Sequence, residues 1–292
     1  MTNPHNSTRA VTVEAFHESV AARMPRSGSP QCQPPTRKQG DIQTFSRSAR
    51  RRLIKKMMCV ERRELSVPLF LTLTYHERYP SKNAPLKKEL NAFLQALRRL
   101  PEKVYYLWRI EWQKRGAPHF HLLIWHEDPD HEWDAAAFKR WALETWHRIC
   151  SSTSDDHAQR GADAEVCRTW KKAMSYVCKY LGKKGVPDDI EFRGRHWGAS
   201  RDLPAEPALT VEMSESQFYV LRRIIRGWLE TRGEGGRRYA KMLRQSHSLH
   251  VNLSFKTVIR LLDYIMGRTD LPPPDPPRPL SPPEPTDPFL TE

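Results

Sequence analysis

His119 and His121 flank one bulky apolar residue in the run Pro118-His119-Phe120-His121-Leu122-Leu123. Two imidazoles at this spacing share a face if the segment is a strand, because side chains alternate along extended backbone. Tyr105 to Trp112 and His119 to Trp125 read as two such strands, with Lys114-Arg115-Gly116-Ala117-Pro118 as the turn between them. Even positions then put Trp108, Ile110, Trp112, Phe120, Leu122 and Ile124 on an apolar face, and odd positions put Arg109, Glu111, His119 and His121 on the other. A turn centred on Arg115 sets Glu111 opposite His119, with His121 two residues further along the same face. Two imidazoles and a carboxylate make a half-open site for a divalent cation, with positions left for water or phosphate oxygens. The same spacing also suits ordinary polar residues on an exposed sheet face, and by itself it does not choose between the two.

A second group lies in Tyr176-Val177-Cys178-Lys179-Tyr180-Leu181-Gly182-Lys183. On a helix, Trp170, Ala173, Met174, Val177 and Leu181 form one apolar stripe, and Tyr176 and Tyr180 stack one above the other on its flank. Lys172, Lys179 and Lys183 occupy the adjoining surface. A phenol is a poor nucleophile at its free pKa of about 10. Neighbouring ammonium groups would favour the phenolate and neutralise a phosphodiester facing it. Two half-buried tyrosines on an amphipathic helix would leave the same pattern.

The elements that must carry these groups read in a definite order. Leu69 to Tyr75 is a buried strand; Pro85 to Leu100 is a helix with Leu86, Leu90, Phe93, Leu94 and Leu97 at helical spacing. The hairpin follows, then a helix from Asp134 to Ile149, a short strand at Glu165 to Arg168, and a helix capped by Thr169 running to about Lys183. This β-α-β-β-α-β-α order predicts an α+β domain, a central antiparallel sheet with helices packed on it. Ser214 to Glu230 and Lys256 to Met266 read as two further helices.

The ends differ in character. Residues 1–45 are rich in Ser, Pro, Thr, Gln and Arg and read as a disordered basic arm, leading into Ser46 to Lys56, a basic and potentially helical stretch. Residues 1–65 carry 13 Lys and Arg against 5 Asp and Glu, over half of the chain's net charge of +14. Leu271 to Glu292 contains ten prolines and reads as an extended tail. The expected division is thus an arm over 1–45, a catalytic domain over 46–203, a helical accessory region over 204–270 and a tail over 271–292. The chain of 292 residues shows no apolar run of membrane-spanning length and no secretory signal at Met1 to Ala10. Five widely spaced cysteines without a C-x-x-C pair point to a reducing, cytoplasmic setting rather than a disulfide or zinc framework. The basic balance favours a polyanionic partner. The arm either grips phosphates or is simply solvated.

Three signals, the Phe-Leu-Thr-Leu-Thr-Tyr strand at 70–75, the H-x-H hairpin and the tyrosine helix, stand in one order at suitable spacing. In this the chain resembles the HUH endonuclease superfamily, specifically rolling-circle replication initiators of bacterial plasmids and single-stranded DNA phages. The resemblance covers about residues 66–200, and His196-Trp197-Gly198 is similar to a segment following the tyrosine helix in that family. It implies metal-dependent nicking and joining of origin DNA through a 5′-phosphotyrosine link that frees a 3′-OH. It implies Mg²⁺ or Mn²⁺ on His119, His121 and Glu111, with Glu111 at the position whose ligand varies across the superfamily. Tyr180, three residues before Lys183, matches the nucleophile pattern. Tyr176 occupies the place of an alternating second nucleophile, or of a glutamate that activates water in some plasmid relatives. Lys179 positions phosphate.

The implied partners are single-stranded or cruciform origin DNA, a host DNA polymerase and, since no G-x-x-x-x-G-K-[ST] loop is present, a host helicase. Arg50, Arg51, Arg52, Lys55, Lys56 and Lys172 are the expected DNA-binding cations, with residues past 204 helping to bind the origin. Two other readings compete. One is another HUH enzyme, a transposase or relaxase. The other is a non-catalytic nucleic-acid-binding domain using Trp112, Trp125 and Tyr75 to stack bases.

Overall fold

The computed structural model of the chain describes residues 10–16, 19–24, 45–76, 79–80, 83–151, 155–169, 172–173, 192 and 194–276. The chain divides into two units, one of Gln33–Glu206 and one of Met1–Cys32 together with Pro207–Glu292. In chain order the strands are β1 Val11–Phe16, β2 Ser19–Arg23, β3 Leu69–Thr74, β4 Val104–Trp112, β5 Pro118–His126, β6 Ala162–Val166, β7 Trp197–Ala199, β8 Leu209–Met213 and β9 Ser248–Val251. The helices are α1 Arg47–Met58, α2 Asn83–Arg98, α3 Ala135–Ile149, α4 Asp155–Arg160, α5 Glu215–Glu230, α6 Gly233–Leu243 and α7 Phe255–Ile265. The chain is α+β with two antiparallel sheets. No described helix is long and apolar enough to cross a membrane.

In the unit of Gln33–Glu206, five strands pair in the order β6-β3-β5-β4-β7. The sheet is apolar on one whole face. Leu69, Leu71, Leu73, Ile110, Phe120, Leu122 and Ile124 meet Leu86, Leu90, Phe93 and Leu97 of α2 and Ala142 and Trp146 of α3. Asp134 caps α3 by accepting the Ala137 N–H at 2.8 Å, and Trp146 donates its indole N–H to the Thr74 carbonyl at 3.0 Å. The helix is thereby fixed against the end of β3 that adjoins the histidines. Gly198 lies directly opposite Trp108, and a Cβ there would meet the indole Nε1 at 2.8 Å. The glycine lets the ring lie flat across β7.

The opposite face is half apolar, which the hairpin pattern at 109–121 does not reveal. Phe70, Tyr105, Leu107, Leu123 and Trp125 meet Phe45 and Ala49, Leu53 and Met57 of α1. The basic stretch expected as part of a loose arm is therefore a covering helix. Ser46 caps it by accepting the Ala49 N–H at 3.2 Å, and Leu53 and Met57 seal the sheet beneath. Burying side chains of this size contributes about 1.5–3 kcal/mol each.

The other unit is a four-stranded sheet, β8-β1-β2-β9, backed by helices. Val11, Val13, Ala15, Val20 and Ala22 pack with Phe218, Leu221 and Ile225 of α5, Ala240 and Leu243 of α6, and Val258, Leu261 and Leu262 of α7. This corrects two expectations. Residues 11–23 of the supposed disordered arm include two paired strands, and the region past 204 is mixed α+β rather than purely helical. The physical reason is separation: the strands that complete β1 and β2 are β8 and β9, about two hundred residues away, so no local signal announces them. Residues 1–9, 25–44 and 277–292 lie outside the described residues.

Candidate functional site

The hairpin register is the one that the turn at Arg115 dictates. Glu111 lies opposite His119, and Arg109 opposite His121. On the other side β3 continues the rows, with Thr72 opposite His121 and Thr74 opposite His119. Three rows thus cross the sheet on the α1 face. Phe70, Leu123 and Leu107 form an apolar row; Thr72, His121 and Arg109 form the next; Thr74, His119 and Glu111 form the last, nearest the turn. The face changes from apolar to polar within two residues on all three strands at once. The metal-site residues read from the sequence are therefore brought together, and the threonines are partners that the hairpin alone could not show.

The polar rows are held tightly. Arg109, Glu111 and His121 are 5%, 6% and 7% exposed. Arg109 Nη1 lies 3.2 Å from Glu111 Oε1, and Glu111 Oε2 lies 3.2 Å from His121 Nε2. His121 Nδ1 meets Thr72 Oγ1 at 3.3 Å, and His119 Nε2 meets Thr74 Oγ1 at 3.0 Å. The two imidazoles lie 4.6 Å apart between centroids, and Phe70 stacks on His121 at 5.5 Å. Arg109 also lies over the Phe45 ring, 4.7 Å from its centroid. Burial pulls the Arg109 guanidinium down to about 10, against the favourable pull of Glu111, so it stays charged at neutral pH. His196 sits nearby, 3% exposed, its carbonyl accepting the Ile110 N–H at 3.0 Å. Burial, and secondarily Arg109 and Lys87, push its pKa down to about 4.

The remaining sequence candidates fall in three groups. Arg51, Arg52 and Lys55 are exposed on α1, Arg50 is half-buried, and Lys56 donates to the Leu203 carbonyl at 3.4 Å. Lys172 is exposed, and its N–H is bound by Thr169 Oγ1 at 3.2 Å, as the expected helix cap requires. Tyr176, Lys179, Tyr180 and Lys183 lie outside the described residues. The stacking platform of the non-catalytic reading is corrected for two of its three rings. Trp125 and Tyr75 are 0% and 1% exposed, and both serve the core. Trp112 packs edge-on against Phe192 at 4.9 Å.

One group escaped the sequence reading. Glu102, His126 and His131 place ligand-type atoms within 4.8 Å of one another. Their spacing offers no motif, since Glu102 precedes β4 while His126 closes β5. Here His126 Nδ1 accepts the Asp128 N–H at 2.9 Å, which leaves its proton on Nε2, facing Glu102 Oε2 at 3.2 Å. The rings of His126 and His131 stack face to face at 3.9 Å. This is a stacked pair whose inner Nε2 already carries a proton rather than a lone pair for a cation.

Comparison with known proteins adds an independent line. Residues 68–185 match a family model for replication-associated proteins of the ORF2 type. A Xylella fastidiosa (strain Temecula1) protein named "Putative replication protein PDa0002" is 26% identical over 213 residues, covering 65% of this chain and 74% of that protein. A protein of like description from strain 9a5c is 24% identical over 207 residues, covering 65% and 69%. A replication-associated protein of Pseudomonas phage Pf3 is 28% identical over 174 residues, covering 55% of this chain and 58% of the phage protein. No solved structure matches the chain at a comparable level of significance. The matches support a replication protein, and the matched segment contains β3, the histidine hairpin and the tyrosine run.

Proposed function

We propose that the chain is a rolling-circle DNA replication initiator of the HUH endonuclease type, nicking and rejoining origin DNA through a tyrosine. The observation that carries the reading is the contact between His121 Nε2 and Glu111 Oε2 at 3.2 Å, in register with His119 on one sheet face. When Thr72 Oγ1 accepts from His121 Nδ1, the Nε2 lone pair and the carboxylate face each other, and only a proton or a cation between them is favourable. The donor set of two imidazoles and a carboxylate fits Mg²⁺ or Mn²⁺, which when bound would polarise a scissile phosphate. Replication relatives matching across residues 68–185 support the same reading.

In this scheme the chain's own groups divide the work. Arg109 fixes Glu111, and Thr72 and Thr74 hold the imidazoles. Tyr180 attacks phosphorus, the P–O3′ bond breaks, the 3′ oxygen leaves as a hydroxyl, and the 5′ phosphate stays on the tyrosine. Lys179 and Lys183 neutralise the phosphate and favour the phenolate. Tyr176 supplies the second transfer. Arg51, Arg52 and Lys55 on α1, with Lys172, guide single-stranded or cruciform origin DNA. A host polymerase extends the freed 3′ end, behind a host helicase, in the bacterial cytoplasm.

The test is a library of single-stranded candidate origin oligonucleotides incubated with wild type and His119→Ala, with Mn²⁺ or EDTA. A cleaved oligonucleotide that requires both metal and His119 is expected. Binding without any metal-dependent cleavage across the library would overturn the proposal.

A further inference from the structure

We infer that α6, presented by the end of α5, is a separate surface for the phosphate backbone of duplex DNA. Between Arg222 and Arg244 the chain has eight basic residues and two acidic ones. Both acids are used within their own helices: Glu230 pairs with Arg226 at 3.5 Å and Glu234 with Arg238 at 2.9 Å. Arg237, Lys241 and Arg244 are exposed, and no acidic partner is found for them among the described residues. Their i, i+4, i+7 spacing puts them in one row spanning about 10 Å, roughly three base steps of a DNA strand. Met242, 66% exposed, lies beside the row as an apolar contact with no role in the core.

The row is built on a rigid support. Gly236, Tyr239, Ala240 and Leu243 form the inner side of α6. A Cβ at Gly236 would meet the Leu229 carbonyl oxygen of α5 at 2.4 Å, so the chain packs closely on α5 there. The one aromatic of α6, Tyr239, turns inward and donates its hydroxyl to the His250 carbonyl at 2.7 Å. A single-strand surface interleaves aromatic platforms with its cations. A helix that offers only a spaced cation row suits the regular phosphate track of a duplex. The choice of DNA as polyanion rests on the replication reading; the surface itself does not depend on the nicking chemistry.

The test uses the full chain and a labelled duplex of arbitrary sequence, titrated over a range of salt. Arg237→Ala/Lys241→Ala should lower the slope of log affinity against log salt by about 2. Lys256→Ala/Arg260→Ala removes two exposed cations from α7 of the same unit and should leave the slope within error. Circular dichroism melts of both variants should match wild type. An equal loss from both pairs, or none from the first, would overturn the inference. So would loss of binding to phosphatidylserine vesicles with duplex binding intact, which would assign the row to a lipid surface. Failure of wild type to cleave single-stranded oligonucleotides would sink the nicking proposal while leaving this slope measurement to stand or fall on its own.

Discussion

Glu111 holds two neighbours at once: its Oε1 faces a buried guanidinium and its Oε2 an imidazole. Removing it leaves Arg109 charged and buried, a loss of about 3–5 kcal/mol. Glu111→Ala should therefore lower the denaturant midpoint sharply, and Arg109→Met added to it should recover much of the loss. Glu111→Gln keeps an acceptor beside Arg109, so it should cost less stability while weakening Mn²⁺ binding in a calorimetric titration. His196 supplies a pH effect of definite sign. Its folded pKa of about 4 lies below the ordinary histidine value of 6.5, so between those values the unfolded chain binds the proton and the folded chain does not. Its contribution to stability is full above about 6.5 and is lost as pH falls toward 4, at no more than about 1.4 kcal/mol per unit. His196→Gln should flatten the loss of thermal stability between about pH 6.5 and 5; a steeper loss would contradict this account. At this scale the sequence was informative for the hairpin, because a strand's period of two and a turn centre fix which residues face each other. It was silent on Arg109 as Glu111's partner, on Thr72 and Thr74, and on the fate of Trp125 and Tyr75, because burial depends on what covers a face.

Among the elements, α2, α3, α5, α7 and the β4–β5 hairpin follow from strong apolar periodicity. α1 was visible as basic and helical but not as a lid, since Ala49, Leu53 and Met57 mark its inner side and the surface they meet is assembled from three strands. α6 was not visible at all. Gly233, Gly235 and Gly236 give it poor intrinsic helix propensity, and packing on α5 sustains it. These glycines separate by what surrounds them. Gly236→Ala should destabilise the unit, because its Cβ has no room against Leu229. Gly227→Ala, at an exposed position of α5 with nothing within 4 Å, should raise stability by up to about 1 kcal/mol. Thermal melts of the two variants shifting in the same direction would refute this contrast.

At the scale of the whole chain, the unit of Gln33–Glu206 is continuous in sequence, and its element order was legible from end to end of the described part. The other unit is discontinuous. It combines the N-terminal strands with everything past Pro207, so its two halves read separately as a loose arm and a pair of helices. Charge was legible as a total but not as a distribution: part of it lies on α1 beside the histidine face, and part on α6 in the other unit. The central claim concerns the first unit and is a covalent one. The most direct measurement is recovery of the protein–oligonucleotide adduct formed with Mn²⁺ on a cleaved origin strand, digestion with trypsin, and mass mapping of the modified peptide. The account predicts a 5′-phosphonucleotide on Tyr180, lost in Tyr180→Phe except for transfer to Tyr176, and absent from the double variant, from His119→Ala and with EDTA. An adduct that persists in the Tyr176→Phe/Tyr180→Phe chain, or metal-dependent cleavage with no adduct at any stage, would contradict it.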